Sequence, residues 1–133
     1  MMRFAVLALL LVSNQVFAAQ WSLLGDNDLG TFFVDKSSVT RNRGVLQANV
    51  LLNWSRPQML QGHGKYYLSE ISVAYLDCDD KQIGFGSRTM YAKPDAQGGA
   101  LFSPYLAYGD VKLQDTVPGS TGAQMIKAIC SLK

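Results

Sequence analysis

Two cysteines, Cys78 and Cys130, stand behind an N-terminal stretch that reads as an export signal, and together they constrain this chain more than any other feature. Export leads to an oxidising compartment, where two cysteines in a small domain form a structural disulfide more often than a metal or redox site. The competing assignment, a reactive thiol with a resolving partner, would need a Cys-x-x-Cys spacing or a neighbouring histidine to lower a thiol pKa, and the sequence has neither. Read as a staple, the pair ties the middle of the chain to its C-terminal end.

The export reading rests on residues 1–18. Arg3 supplies a positive start, Phe4 to Val12 is an unbroken run of nine apolar residues, and Val16-Phe17-Ala18 places compact residues where a signal peptidase cuts. An apolar run of nine is too short to span a bilayer, which takes about 20 residues. Cleavage is expected after Ala18, with Ala19 as the alternative. With no cysteine beside the cut, no lipid anchor is expected. The remaining 115 residues, 19–133, suffice for one domain with a modest core. Without Arg3, eleven basic residues face ten acidic ones, so no basic face for nucleic acid is expected, and no later stretch approaches membrane-spanning length.

The mature chain reads as β-rich with one closing helix. Trp21 to Leu24 is apolar, and the turn formers Gly25-Asp26-Asn27-Asp28 and Gly30 lead into Thr31 to Asp35, which predicts a first hairpin. Lys36 to Ser38 is polar, Val39 to Arg41 is a short extended piece, and Asn42 to Gly44 is a turn. From Val45 to Ser55, Leu46, Ala48, Val50, Leu52 and Trp54 alternate with polar residues, the mark of a strand with one face on a core. Pro57 is expected to end it, because proline cannot donate to a ladder. After the loop Gln61 to Gly64, a long strand runs to Asp77 with Tyr67, Ile71, Val73 and Tyr75 toward the core. Gln82 to Tyr91 returns beside it. Gly84 and Gly86 share one face of that strand and leave room for something bulky to lie against it. Lys93 to Asp110 reads as loop, with Ala100 to Phe102 able to pair briefly, and Val111 to Val117 is the last strand candidate.

Pro118-Gly119-Ser120 stops the sheet and starts a helix. Thr121 and Gln124 stand at capping-box spacing, and Gly122, Met125, Ile126, Ile129 and Cys130 recur on one helical face. The expected fold is α+β: an antiparallel meander of five to six strands, one C-terminal helix packed on it, and a sheet-to-helix disulfide. Closing a loop of about 50 residues stabilises a small domain by roughly 4 kcal/mol in the chain-entropy account.

Several short blocks carry a resemblance when taken in order. They are Phe32-Phe33-Val34-Asp35 with Ser37-Ser38-Val39, Asn49-Val50-Leu51-Leu52-Asn53, Tyr66-Tyr67-Leu68-Ser69 and Asp77-Cys78, followed by Arg88-Thr89-Met90-Tyr91, Val117-Pro118-Gly119-Ser120 and Ile129-Cys130. Over nearly the whole mature chain this order resembles the surface-adhesin protein E family of Gram-negative bacteria. The resemblance implies an antiparallel sheet flanked by a C-terminal helix, with Cys78 joined to Cys130. It further implies a non-enzymatic binding protein whose relatives grip host matrix or serum proteins.

No catalytic, cofactor or metal site is expected. His63, the lone histidine, lies between two glycines and reads as a solvated loop residue. Asp77, Asp79 and Asp80 are the densest carboxylate cluster, yet a tight turn explains them as well as a cation would. Asp26, Asn27 and Asp28 lack the spacing of a calcium loop, and Gly84-Phe85-Gly86 lacks the third glycine and following helix of a phosphate cradle. Trp54, Tyr67, Tyr75 and Phe85 read as structural. Partner contact falls instead to Arg56, Tyr66, Tyr105 and Tyr108, because exposed arginine and tyrosine dominate binding hot spots. The partner is a protein ligand or an envelope component, and pairing of strand edges into a homodimer is a further option. Two other readings compete with adhesion: a structural protein confined to the periplasm, and an enzyme acting on an envelope polymer through Asp79 and Asp80. Adjacent carboxylates in one turn suit that chemistry poorly.

Overall fold

The computed structural model describes residues 19–132, so the expected signal segment lies outside the described residues. Eight strands form a single sheet: β1 (Trp21–Asn27), β2 (Gly30–Asp35), β3 (Thr40–Asn42), β4 (Val45–Leu60), β5 (Lys65–Asp77), β6 (Gln82–Lys93), β7 (Gln97–Phe102) and β8 (Gln114–Asp115). One helix, α1 (Thr121–Cys130), follows. All pairings are antiparallel, in the order β1-β2-β4-β5-β6-β7, with β3 paired to β4 and β8 to β6. The meander is as expected. The sheet has eight strands rather than five to six because short pieces pair as well: β3, three residues long, overlaps the extended piece read at Val39 to Arg41, and β8, two residues long, lies within the last strand candidate, Val111 to Val117.

Most of the core lies between the sheet and α1. Directly opposed residues share a face in an antiparallel pair, so Leu46↔Leu76, Ala48↔Ala74, Val50↔Ser72 and Leu52↔Glu70 define this side. Phe32 and Val34 join from β2, and Met125, Ile126 and Ile129 descend from the helix. The alternating stretch of β4 thus faces the core as read. On β5 the buried Tyr67 is core as expected, but from Ile71 to Tyr75 the face is the reverse of expectation. Ala74 and Leu76 meet the helix, while Tyr75 lies on the other side, where its ring packs 4.9 Å from that of Tyr108. The reason is that both faces of β5 are covered, so apolar residues occur at odd and even positions and alternation cannot choose between them.

Cover for the second face comes from the chain between β7 and β8. Gly86 admits the Tyr75 ring: a Cβ there would sit 2.8 Å from Tyr75 Cε2. At Gly84 a Cβ would meet Val111 Cγ1 at 2.7 Å and the Lys112 carbonyl at 2.8 Å. Bulky neighbours against these two glycines are as expected. Most of Val111 to Val117, by contrast, is this covering segment, and only Gln114–Asp115 pairs as strand.

Pro57 does not end β4. The register slips between Asn53 and Gln58, where four β4 residues stand against one of β5, and pairing resumes at Gln58↔Tyr67. Proline's missing N–H costs nothing inside such an unpaired bulge. Beyond it Leu60, Tyr67 and Met90 form a second small core, with Trp54 and Leu101 against it. At the helix start, Ser120 rather than Thr121 is the cap: its Oγ accepts from Ala123 N–H at 3.2 Å. Thr121 Oγ1 instead accepts from Asn27 Nδ2 at 2.8 Å, fastening the helix to β1. Cys130, on the apolar helix face, is disulfide-bonded to Cys78, with Cα atoms 5.8 Å apart.

Candidate functional site

Helix α1 has ten residues, about 15 Å of length, against sixteen residues in β4. It covers only part of its sheet face. Past its cover, Leu52 and Trp54 from β4, Glu70 and Ser72 from β5, and Phe85 and Arg88 from β6 line an open cleft of about 240 Å³.

A bulge makes this grouping. Ser72 pairs with Arg88 and Ala74 with Phe85, so one residue of β5, Val73, faces two of β6, Gly86 and Ser87. Residues three apart on a regular strand point to opposite faces. The extra residue brings Phe85 and Arg88 to the same one.

Glu70 is the centre of the cleft. It is 2% exposed and accepts from three donors: Trp54 Nε1 at 3.0 Å on Oε1, and Arg88 Nε at 2.7 Å and Ser72 Oγ at 3.3 Å on Oε2. The pair with Arg88 is the single ion pair among the described residues. Burial pulls the Arg88 pKa down, but the hydrogen bond and charge of Glu70 outweigh it and raise the net value, so the guanidinium stays charged. Arg88 is far more open than its partner, with 38% of its side chain exposed against 3% for Glu70. Trp54 and Phe85, expected to be structural, thus edge a surface cleft, and Phe85 is 40% exposed. Glu70 and Arg88 do not appear among the sequence-predicted site residues. In the alternation Glu70 falls on the supposed solvent face, and only the bulge puts Arg88 beside it.

This constellation holds one carboxylate, already met by donors, where glycosidic cleavage calls for two on opposite sides of the bond. A wider hollow of about 570 Å³ lies between α1, β8 and the β5–β6 turn, but its charged lining residues Asp80, Lys81, Asp115 and Lys127 are all exposed. Asp79 and Asp80 belong to that turn, where Asp77 Oδ1 accepts from Asp80 N–H at 3.1 Å, the turn geometry expected of such a cluster. Among the described residues no group of three His, Cys, Asp or Glu side chains comes together to hold a metal. His63 is exposed in its turn, with its ring 4.8 Å from Phe102 rather than fully solvated.

The four residues expected to touch a partner fall into two places. Arg56 is exposed in the β4 bulge, and Tyr66, 57% exposed, pairs directly with Met59, 61% exposed. Tyr105 and Tyr108, 84% and 49% exposed, sit on the segment that covers the second face, close enough to the buried Tyr75 that burial first, and then their charges, raise its pKa.

A stapled antiparallel sheet with one closing helix and an open cleft defines a small α+β domain. The chain belongs to the surface-adhesin protein E family, whose sequence model matches residues 21–131. Solved structures of Haemophilus influenzae protein E share the fold. One has a TM-score of 0.55 at 13% identity over 75% of this chain and 76% of that one. Its second crystal form gives 0.57 at 13% over 75% and 80%, and protein E from non-typeable Haemophilus influenzae gives 0.59 at 13% over 88% and 79%. Identity this low carries the fold and not the binding residues. No curated protein matches the chain in sequence.

Proposed function

We propose that this chain is an exported, non-enzymatic binding protein of the bacterial cell envelope, freed of residues 1–18 by cleavage after Ala18. It contacts a protein ligand, in the manner of an adhesin for host matrix or serum proteins, through Arg56 and Tyr66, with Tyr105 and Tyr108 as a second patch. The observation that carries this reading is the exposed pair Met59 and Tyr66 on adjacent strands, with Arg56 exposed in the same stretch of β4. Large apolar and aromatic side chains beside an arginine are the composition of binding hot spots. No described helix is long and apolar enough to cross a membrane.

Protease treatment of intact cells, with a periplasmic marker followed alongside, tests the address. Cleavage of this chain while the marker survives is the expected result, and equal protection of both would confine the chain to the periplasm. One observation favours self-association as a second reading: β1 and β7 end the strand order, and unpaired strand edges are templates for pairing. A monomeric mass at high protein concentration would remove it.

A further inference from the structure

We infer that the cleft between Trp54, Phe85 and Arg88 binds a carboxylate carried on an apolar stem, either a protein C-terminus ending in a hydrophobic residue or a free organic acid. This rests on the reading of the chain as a binding protein, but it concerns a surface separate from Arg56 and Tyr66.

The case starts from Glu70. A buried ion pair is a weak stabilising device, because desolvation cancels most of its attraction and an apolar set of similar volume serves as well. What Glu70 supplies is orientation. By taking the Nε–H of Arg88 at 2.7 Å, it fixes the guanidinium and leaves the N–H groups of the two Nη nitrogens to other acceptors. Apart from the nearby Tyr67 hydroxyl, no acceptor among the described residues meets those remaining N–H groups, and 38% of the side chain is open to solvent. Two parallel N–H donors in one plane match the two oxygens of a carboxylate.

The rest of the cleft is apolar. Leu52, Trp54 and Phe85 supply its walls, while Ser72 and Glu70 are 3% and 2% exposed and offer a ligand little. One reachable polar group at the edge of apolar walls selects a ligand with one polar end. At about 240 Å³ the space is smaller than a drug-sized pocket and suits a single side chain. The charge of Glu70 does not bar a second carboxylate. It is met by Trp54 and Ser72 as well as by Arg88, and the ligand would lie across the guanidinium from it.

The test uses the mature chain and three probes: an N-acetylated tripeptide ending in Phe with a free acid, the same peptide as its C-terminal carboxamide, and 3-phenylpropionate. Proton–nitrogen NMR spectra follow the Trp54 indole N–H, with the Trp21 indole as internal control. Saturable shifts at Trp54 with the acid peptide are expected, with about tenfold weaker binding of the carboxamide and a similar loss in Arg88→Lys, which keeps the charge but not the planar edge. If phenylpropionate matches the acid peptide the natural ligand is a free acid; if the peptide binds about tenfold tighter it is a chain terminus. Equal shifts by acid and carboxamide, or no saturable shift at Trp54 with any probe, would overturn the inference without recourse to any variant. Matrix-protein binding through Arg56 and Tyr66 is measured separately, so either reading can fail alone.

Discussion

Asp35 holds the corner where β2 leaves the sheet. Its Oδ1 accepts from Gln20 N–H at 2.9 Å, Ser37 N–H at 3.0 Å and Ser37 Oγ at 2.6 Å. Burial raises its pKa, but these bonds outweigh it and leave the net value below 3.8. A carboxyl with a lowered folded pKa adds stability that is present above the unfolded value and is lost as pH falls through the folded one. Thermal unfolding followed by circular dichroism should therefore show a midpoint that drops on acidification below about pH 4, with a smaller drop in Asp35→Asn. At neutral pH the same variant should lose about 1–2 kcal/mol. Gly86→Ala drives a methyl group into the Tyr75 ring, and about 1–3 kcal/mol lost in denaturant titration is expected. The close approach at Gly86 was legible, since two glycines on one strand face leave space that something must fill. The Glu70–Arg88 pair was not, because a bulge leaves no mark in a pattern of period two and no charge spacing announces a partner eighteen residues away.

Among the elements, α1 was the most legible. Its apolar residues recur at helical spacing and its start is marked by Pro118-Gly119-Ser120, although the cap proved to be Ser120 and the expected capping box did not form. Ser120→Ala should cost about 1 kcal/mol in chemical denaturation. The disulfide closes a separation of 52 residues, so replacing Cys78 and Cys130 together by serine should remove roughly 4 kcal/mol. The same change should speed hydrogen exchange in α1 before β4 and β5, since a ten-residue helix is marginal without its attachments. Short strands were the least legible elements. β8 is two residues long and depends on β6 for its pairing, which nothing local encodes. The continuation of β4 past Pro57 was hidden for a related reason, because the rule that proline ends a strand holds only where its missing N–H faces a partner.

At the scale of the molecule, a short helix on a long sheet leaves two kinds of surface: an open cleft on the helix side, and exposed aromatic side chains at the β4–β5 pair and on the covering segment. Family membership was readable from the order of short blocks along the chain, while the faces of β5 and the cleft required the register. The central claim, that this chain binds a protein ligand through Arg56 and Tyr66, is tested most directly by titrating the purified mature chain over immobilised host matrix and serum proteins, beside an Arg56→Ala, Tyr66→Ala double variant of unchanged thermal midpoint. Saturable binding that weakens about tenfold in the variant is the predicted result. Saturable binding equal in both proteins, or no saturable binding to any of these ligands, would contradict it.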